Sequence, residues 1–431
     1  MEAASGPLAG VRVIDLTSVV LGPFATQTLG DMGADVVKIE TPEGDATRQI
    51  GPSRGPGMGS YFATLNRNKR SVVLDLKHPP ARAALDRLIA GADVFVHNMR
   101  LGAAARLGLD HATLGPRHPR LIHAAATGFR EGSSMAEFPA FDDLIQGMSG
   151  AAALNAAPEA GKTGVPPEAG GTGVAPEAGG TGVPPEAGGT GTAPRYFPTV
   201  VVDKLTGQLL ASMIGMALFH RERTGQGQAI HLPMMETMLS FLLIEHLWGA
   251  TIDEPERGMG YPRMLTPHRR PYATRDGFIS VICVSDAQWA RVFRAIGRDD
   301  LIDDPRFASI AARSDHVDAL YGALADGLAA RGTAEWLAIL RPLDIPCGAA
   351  ADLPGLLADP YLTETGFFAL AEHPSEGRVR VPAIPARFSA SPPSVRRLWP
   401  RLGEHTAEVL GEAGYDTAAI AEITGGAGGV L

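Results

Sequence analysis

The sequence contains little cysteine, no excess of positive charge and no hydrophobic run long enough to span a membrane. Its two cysteines, Cys283 and Cys347, lie far apart without a metal-ligand spacing, which excludes a disulfide framework and favours a reducing compartment. The net charge of −9 argues against a nucleic-acid-binding surface. The longest apolar stretches, such as 209–219, are too short for a bilayer, and residues 1–10 lack the features of a signal peptide. These absences predict a soluble, cytoplasmic protein.

The first 130 residues alternate β-branched runs with helical patterns. Strands are predicted at 11–17, 35–40, 70–77, 93–99 and 120–129, and helices at 22–34 and 79–92. Short connections between alternating strands and helices indicate a largely parallel sheet covered by helices, so the predicted fold class is α/β. Because 431 residues exceed one ordinary core, a second, smaller domain is expected to begin near residue 250.

The loops that follow the predicted strands are the expected place for a ligand, because parallel sheets bind ligands at the carboxyl ends of their strands. These loops contain TSVVLG (17–22), TPEGD (41–45) and NMR (98–100). None of them matches GxGxxG, and GxxxxGK followed by Ser or Thr occurs nowhere, so a nicotinamide or P-loop nucleotide site loses its main support. The histidines show no metal-binding spacing such as HxxxH.

Asp203 is the candidate catalytic residue. It follows the β-branched run of VVVDKLTG (200–207) just before a helical pattern, where the helix dipole favours an ionised carboxylate. Position alone favours an N-cap aspartate that accepts hydrogen bonds from backbone N–H groups. The alternative is a carboxylate nucleophile that forms acyl or thioester intermediates.

Six ordered segments carry a resemblance to a known family. They are GVRVIDLTSVVLGPFATQTLGDMGADVVKIE (10–40), NRNKRSVVLDLK (66–77), DVFVHNM (93–99), DDLIQGMSG (142–150), DKLTG with ALFHRERTGQGQ (203–228) and LGEHTAEVL (402–410). In this order they resemble the class III CoA-transferases, the group of formyl-CoA transferase, carnitine CoA-transferase and the related α-methylacyl-CoA racemase. The resemblance runs from about residue 7 to about residue 415 and leaves out residues 158–193.

The resemblance implies a Rossmann-like large α/β domain and a smaller α+β domain in a ring-like chain, with two chains forming an interlocked homodimer. The large CoA-binding domain is expected at 1–225, followed by a linker helix at 226–250 and the small domain at 251–345. Residues 346–431 are expected to return to the large domain.

The resemblance also assigns the nucleophile to Asp203 and implies CoA transfer from an acyl-CoA donor to a carboxylic acid acceptor. Asp203 is expected to form a mixed anhydride and then an aspartyl–CoA thioester, which the incoming acid converts to a new acyl-CoA. A carboxylate suits this role because it is ionised at neutral pH. Backbone N–H groups of SVVLG (18–22) are the expected oxyanion donors. The CoA thioester is then a substrate, and no metal or tightly bound cofactor is expected.

Seven further positions match family residues that contact CoA or line the site. They are Leu74, Lys77, Asn98, Met99, Arg106, Leu107 and Met234. The resemblance implies that Lys77 and Arg106 bind the phosphates of CoA, which their charge suits. Taken alone, Lys77 and Arg106 are ordinary surface charges, and Met234 is ordinary core packing.

Departures from the family bear on the substrate. Ser18 and Val20 stand where formyl-CoA transferase has His and Gln, and Thr41 stands where it has an arginine-type phosphate contact. These changes disfavour formate and oxalate as the substrate pair.

A basic and aromatic segment, PHRRPY (267–272), stands where formyl-CoA transferase has a Gly-rich lid over the active site. Arg269 or Arg270 is a candidate to bind an acyl carboxylate, and an ordinary surface loop is the alternative. His405, a family hallmark, is expected to start a helix rather than to act on substrate.

Phe141 separates transfer from racemisation. The racemases place a His–Asp pair where this chain has Phe141 and Asp142, so the proton-abstracting histidine is missing. Because racemisation needs two acid–base groups on opposite faces, transfer is favoured. An inactive acyl-CoA-binding relative is the non-enzymatic alternative, and the retention of Asp203 speaks against it.

Four copies of a nine-residue unit of the form PEAGGTGVP fill residues 158–193. Of these 36 residues, 17 are glycine or proline, so the tract buries too little apolar surface to offset the entropy of ordering. A disordered, mobile loop is predicted, and a stacked β-helix is disfavoured because each copy lacks inward-facing apolar residues. No catalytic role is assigned to the tract.

Overall fold

The structure is a computed structural model that describes residues 5–156 and 193–425. The nonapeptide tract at 158–193 lies outside the described residues except for its last residue, so the mobility expected of it stays a prediction. Within the described residues the chain separates into two compact units. One comprises Met1–Ser149, Phe197–Ser240 and Pro360–Leu431, and the other comprises Gly150–Tyr196 and Phe241–Asp359.

The described residues form strands, α-helices and short 3-10 helices. The strands are β1 (Arg12–Leu16), β2 (Asp35–Glu40), β3 (Lys69–Val73), β4 (Val94–His97), β5 (Ile122–Thr127), β6 (Gln228–Pro233), β7 (Tyr272–Ala273), β8 (Phe278–Val281), β9 (Cys347–Ala349), β10 (Phe368–His373) and β11 (Gly377–Pro382). The α-helices are α1 (Leu21–Asp31), α2 (Ser60–Ala63), α3 (Pro79–Ala90), α4 (Leu101–Arg106), α5 (His111–Leu114), α6 (Asp142–Met148), α7 (Ala151–Leu154), α8 (Val201–Thr224), α9 (Met234–His246), α10 (Pro262–Leu265), α11 (Asp286–Ala295), α12 (Ile310–Asp315), α13 (Val317–Leu328), α14 (Thr333–Leu340), α15 (Pro360–Glu364), α16 (Thr406–Glu412) and α17 (Thr417–Ile423). The 3-10 helices are Ala46–Gln49, Trp248–Ile252, Pro255–Arg257, Asp299–Leu301, Arg341–Leu343 and Gly355–Ala358.

A parallel sheet is the centre of the first unit. In the described part of the chain it has six strands in the order β3-β2-β1-β4-β5-β6. Strands β4 and β5 are buried along their whole length, as expected for a parallel sheet covered by helices on both faces. The predicted α/β class and parallel sheet are therefore confirmed. Each predicted strand of the first 130 residues is present, and the prediction at 35–40 coincides with β2.

Helix α3 and the C-terminal helices build a core against this sheet. Leu85 and Ile89 of α3 are buried together with Phe95 of β4. Leu410 of α16 and Ile423 of α17 belong to the same apolar cluster. The residues from Thr406 onward therefore pack into the core of this sheet, whose strand β3 precedes them by more than 300 residues.

His405 ties the start of α16 to β3. Its backbone N–H donates to the carbonyl oxygen of Ser71 at 2.9 Å, and its Nδ1 accepts the N–H of Ser71 at 3.3 Å. His405 is the N-cap residue of α16. The expectation that it is a structural helix-start residue is confirmed.

Helix α8 begins earlier than the sequence predicts. The β-branched run 200–202 predicts a strand with the helix after Asp203, yet the helix starts at Val201 and Asp203 is its third residue. Packing overrides the local β preference, because Val202 is buried and α8 lies against α1, β5 and β6. The N-cap residue is Val200, so the interpretation of Asp203 as an N-cap aspartate is wrong.

The apolar stretch 209–219 is part of this longer helix. At 24 residues, α8 is long and apolar enough to cross a membrane by length and composition, and 44% of its most apolar window is buried inside the structure. Core helices of soluble proteins pass the same test. The contacts of α8 with α1 and the sheet give it that role here.

The predicted linker helix at 226–250 divides between two elements. Its first part forms β6, which pairs with β5 along the whole strand from Gln228 to Pro233. Only Met234–His246 is α-helical. The edge of β5 offers backbone hydrogen-bonding groups that a strand satisfies and a helix does not, which is why residues 228–233 are extended.

The second unit has its own core. Its antiparallel sheet, in the order β7-β8-β9, packs with α11, α13 and α14 around the buried rings of Trp289, Phe293 and Trp336. Segregated helices and antiparallel strands make this unit α+β.

Candidate functional site

Asp203 and Asp142 form a close pair of carboxyl groups in the first unit. The backbone N–H of Asp203 donates to Oδ1 of Asp142 at 2.9 Å. Asp142 is the first residue of α6 and is buried, and its Oδ2 accepts a hydrogen bond from Nε2 of Gln146 at 2.5 Å. Asp142 therefore satisfies one of the N–H groups that the start of α8 leaves without a partner inside the helix.

Gln146 holds the segment that leads into α8. Its Oε1 accepts the N–H of Phe197 at 2.8 Å, and its Nε2 lies 3.4 Å from the carbonyl oxygen of Thr199. Gln146 is fully buried on α6. One turn of α6 thus positions both the entry to α8 and the carboxylate beside Asp203.

The surroundings of Asp203 disfavour its charge. Burial, followed by the negative charges of Asp142 and Asp143, raises the pKa of Asp203 from 3.8 to about 7. This shift works against the ionised form that the sequence leads us to expect at neutral pH.

Tyr61 of α2 is a third polar group at this place. Burial raises the pKa of Tyr61 above 10, and the charges of Asp203 and Asp142 raise it further. Its phenol is therefore a protonated donor in the electrostatic field of both carboxyl groups. The sequence contains no signal for this residue, since a single tyrosine in GSYF (59–62) has no spacing that relates it to Asp203.

Gly207 brings the loop after β1 close to α8. A Cβ on Gly207 would lie 2.6 Å from the carbonyl oxygen of Leu21 and 3.4 Å from Cβ of Phe24. Gly207 is one helical turn beyond Asp203, which explains the spacing of Asp and Gly in DKLTG. The start of α1 and the start of α8 therefore pack backbone to backbone.

The loop 18–21 is held at two places. Ser18 exchanges two hydrogen bonds with Asn98, its N–H donating to Oδ1 at 3.1 Å and its carbonyl accepting from Nδ2 at 2.9 Å. The N–H of Val19 donates to Oδ2 of Asp45 at 3.2 Å. No described residue accepts a hydrogen bond from the N–H groups of Val20 or Leu21. Both residues are buried, with 2% and 4% of their surface exposed.

The positions matched to CoA-contacting residues follow the carboxyl ends of the strands. Leu74 is 1% exposed, and Met99 packs against the same apolar cluster. Lys77 and Arg106 are exposed, and neither side chain is hydrogen-bonded or ion-paired to a described residue. The other positions are the exposed Leu107, Asn98 at the loop described above and the buried Met234 at the start of α9.

Other candidates lie elsewhere. Arg269 and Arg270 are exposed residues of the second unit. Cys283 is buried, and both cysteines are free thiols. Within residues 5–156 and 193–425, no group of three His, Cys, Asp or Glu side chains is placed to hold a metal ion.

Comparison with known proteins identifies relatives along almost the whole chain. A family model described as CoA-transferase family III matches residues 8–406. The succinate–glutarate CoA-transferase of Agrobacterium fabrum is 31% identical over 420 residues, covering 94% of this chain and 95% of that protein. The acetyl-CoA:oxalate CoA-transferase of Acetobacter aceti is 33% identical over 380 residues, covering 86% and 88%. The formyl-CoA:oxalate CoA-transferase of Escherichia coli is 29% identical over 441 residues, covering 97% and 98%.

Solved structures agree. A CaiB/BaiF family protein from Brucella suis superimposes with a TM-score of 0.73 at 29% identity, over 95% of this chain and 100% of that one. A hypothetical protein from Mycobacterium tuberculosis gives a TM-score of 0.72 at 28% identity, over 94% and 99%. Fold, site and relatives together define an enzyme that transfers CoA. The chain belongs to CoA-transferase family III.

Proposed function

We propose that this enzyme moves CoA from an acyl-CoA donor to a carboxylic acid acceptor through covalent intermediates on Asp203. The placement of Asp203 carries the proposal: a partly buried carboxyl group at the start of α8, with a pKa raised to about 7. A carboxylate of raised pKa is a stronger nucleophile once it is ionised. Asp142 places a negative charge beside Asp203, and Tyr61 places a protonated phenol within the field of both carboxyl groups.

The reaction proceeds in balanced exchange steps. A carboxylate oxygen of Asp203 attacks the thioester carbonyl carbon, and the C–S bond breaks to give a mixed anhydride and CoA thiolate. The thiolate attacks the aspartyl carbonyl carbon, which releases the donor acid and leaves an aspartyl–CoA thioester. The acceptor carboxylate attacks the aspartyl–CoA thioester, which gives a second mixed anhydride and CoA thiolate. The thiolate then attacks the acceptor's carbonyl carbon, which releases the new acyl-CoA and restores the carboxylate of Asp203.

Each step passes through a tetrahedral oxyanion, which needs hydrogen-bond donors. The N–H groups of Val20 and Leu21 fit this role, because they have no acceptor among the described residues and open α1. The contact of Leu21 with Gly207 supports their proximity to the nucleophile, since Gly207 lies one turn from Asp203.

The exposed cations Lys77 and Arg106 are the proposed partners of the CoA phosphates. Leu74, Asn98, Met99, Leu107 and Met234 are proposed to complete the CoA-binding surface at the carboxyl edge of the sheet. The acceptor is proposed to be a short dicarboxylic acid, because the names of three relatives contain succinate, glutarate or oxalate.

The proposed assembly is an interlocked homodimer of ring-like chains in the cytoplasm, without a tightly bound cofactor. A large domain at 1–225, a small domain at 251–345 and a returning segment at 346–431 are the proposed divisions. Arg269 and Arg270 remain the candidates in the small domain for binding an acyl carboxylate.

Hydroxylamine trapping tests the nucleophile. During turnover with acyl-CoA, hydroxylamine should convert the Asp203 peptide to its hydroxamate, which peptide mass spectrometry detects. Asp203→Asn should abolish the adduct, whereas the matched control Asp303→Asn, at an exposed position of the second unit, should keep it. An unmodified Asp203 peptide in an enzyme that is turning over would contradict the covalent mechanism.

A further inference from the structure

We infer that Asp45 is a positioning residue for CoA transfer: through the N–H of Val19 it fixes the loop 18–21, which supplies the oxyanion donors. The inference rests on the aspartyl mechanism proposed above. Asp45 acts through the backbone and not on the substrate itself. Its carboxylate is buried in the first unit, at the foot of the loop.

Val19 has a backbone conformation that needs support. Its φ is 71°, in the left-handed region that favours glycine, and its side chain is β-branched. A β-branched residue reaches this region only when its surroundings impose it. The conformation turns the chain sharply between β1 and α1, so that Val20 and Leu21 present their N–H groups at the start of the helix.

Two side chains impose this conformation from separate elements. Asn98, after β4, fixes both the N–H and the carbonyl of Ser18. Asp45, after β2, accepts the N–H of Val19 itself. Asn98 is partly exposed and is also proposed to contact CoA, whereas Asp45 is buried and has no access to ligand. Asp45 therefore supports the N–H of Val19 whether or not a ligand is bound.

A buried ion pair holds Asp45 in place. Nζ of Lys38, on β2, donates to Oδ2 of Asp45 at 3.0 Å and to the carbonyl oxygen of Thr17 at 2.8 Å. Both side chains of the pair are at most 1% exposed. Thr47 adds two donors to Oδ1 of Asp45, its N–H at 3.0 Å and its hydroxyl at 2.7 Å. Lys38 thus links the carboxylate of Asp45 to Thr17, the residue that precedes the loop.

Thr17, the residue before the loop, is held by a second buried ion pair. Asp15 on β1 accepts the N–H of Thr17 at 3.0 Å and its hydroxyl at 2.5 Å, and it pairs with the buried Lys69 of β3 at 3.2 Å. In a low-dielectric interior these charge-assisted hydrogen bonds are strong and geometrically demanding. Buried charged side chains on β1, β2 and β3 therefore all support the start of this loop.

The loop leads directly to the nucleophile. Leu21 follows the supported residues, and its carbonyl oxygen lies against Gly207, one turn beyond Asp203. A change in the φ of Val19 would move the N–H groups of Val20 and Leu21 relative to Asp203. Acyl transfer is sensitive to such displacements, because donors must meet the oxyanion at hydrogen-bond distance.

Asp45→Asn tests the inference in the full-length enzyme. The variant should lower kcat between about tenfold and about a hundredfold, while KM for acyl-CoA changes less than about threefold. Val19→Gly should reduce the dependence on Asp45, because glycine adopts this conformation without support. In the Val19→Gly background, Asp45→Asn should therefore lower kcat less than about threefold. A role in stability alone predicts the same loss in both backgrounds.

Controls separate this inference from the mechanism on which it rests. Wild-type enzyme that forms no hydroxamate on Asp203 would refute the covalent mechanism, whereas equal adduct formation by wild type and Asp45→Asn would refute only the positioning role. The matched control is Asp416→Asn, which alters the exposed cap of α17 and should leave kcat unchanged. If Asp45→Asn does not fold, Thr47→Val, which removes one donor to Asp45, should lower kcat in the same way but less; an unchanged kcat overturns the inference.

Discussion

The backbone N–H of Asp203 is hydrogen-bonded to the carboxylate of Asp142, so the proposed nucleophile sits beside a second negative charge. The carboxylate of Asp142 caps the start of α8, and its charge adds to burial in raising the pKa of Asp203. A structural hydrogen bond and an electrostatic adjustment thus come from one side chain.

The pH dependence of the reaction should report this pairing. Burial and the charges of Asp142 and Asp143 raise the pKa of Asp203 to about 7, and only the ionised carboxyl attacks. We therefore expect kcat/KM to rise with pH through about 7. Asp142→Asn removes the charge that has the larger effect on this pKa and keeps an acceptor for the N–H of Asp203. The rise in kcat/KM should therefore move to lower pH. Rate profiles from about pH 5 to about pH 9 measure this. Asp143→Asn should shift the profile less, and an unshifted profile for Asp142→Asn would disprove the coupling.

The raised pKa also has a cost in stability. Asp203 binds its proton more tightly in the folded chain than in the unfolded chain, so stability falls as pH rises from about 4 to about 7. Asp203→Asn has no carboxyl group to ionise, so it avoids this fall in stability. At pH 8 the variant should be more stable than wild type by ~1–3 kcal/mol, and near pH 4 the two should be equal. Urea unfolding at both pH values gives the comparison. The exposed Asp303→Asn should alter neither value by more than ~0.5 kcal/mol.

Gly207 should be intolerant of a side chain. Its Cβ would lie 2.6 Å from the backbone oxygen of Leu21, so Gly207→Ala must separate α1 from α8. We expect a loss of ~1–3 kcal/mol in the free energy of unfolding and a fall in kcat. Gly215→Ala, in the same helix with nothing within 4 Å of the added carbon, should stabilise the protein by ~0.5–1 kcal/mol. Equal effects of the two substitutions would rule out the close packing.

Tyr61 should contribute to the rate through its hydroxyl. Burial and the nearby charges of Asp203 and Asp142 keep the phenol protonated, so it can donate a hydrogen bond to the reacting groups. Tyr61→Phe should lower kcat about tenfold with a smaller change in KM. The control is Tyr361→Phe at an exposed position, for which steady-state kinetics should be unchanged. If Tyr61→Phe keeps the kcat of the wild type, the hydroxyl of Tyr61 has no role in the mechanism.

The nonapeptide tract should be dispensable for the reaction. It falls outside the segments that resemble the family, and long loops cost little in closure entropy. Deleting residues 167–193, which removes three copies, should leave kcat/KM within about twofold of the full-length value. A large loss of activity in the folded variant would show that the tract acts on the site.

Most of the sheet was predictable from the sequence, but the site was only partly so. Strand β2 reads as DVVKIE, an apolar run with clear limits, and the structure keeps those limits. The start of α8 was misjudged, because the β preference of 200–202 is local while the burial of Val202 is decided by the fold. Val19 and Tyr61 gave no signal at all. A positive φ in a valine and a tyrosine beside a distant aspartate both arise from contacts between separate elements.

The buried ion pairs also determine which lysine amines of this enzyme its own acyl-CoA substrate can acylate. Thioesters and anhydrides acylate lysine side chains that are accessible, and the sequence has five lysines beside 33 arginines. The side chains of Lys38 on β2 and Lys69 on β3 have no exposed surface. Acyl groups that escape the active site can therefore modify neither lysine without unfolding, and the support of the loop survives prolonged contact with acyl-CoA.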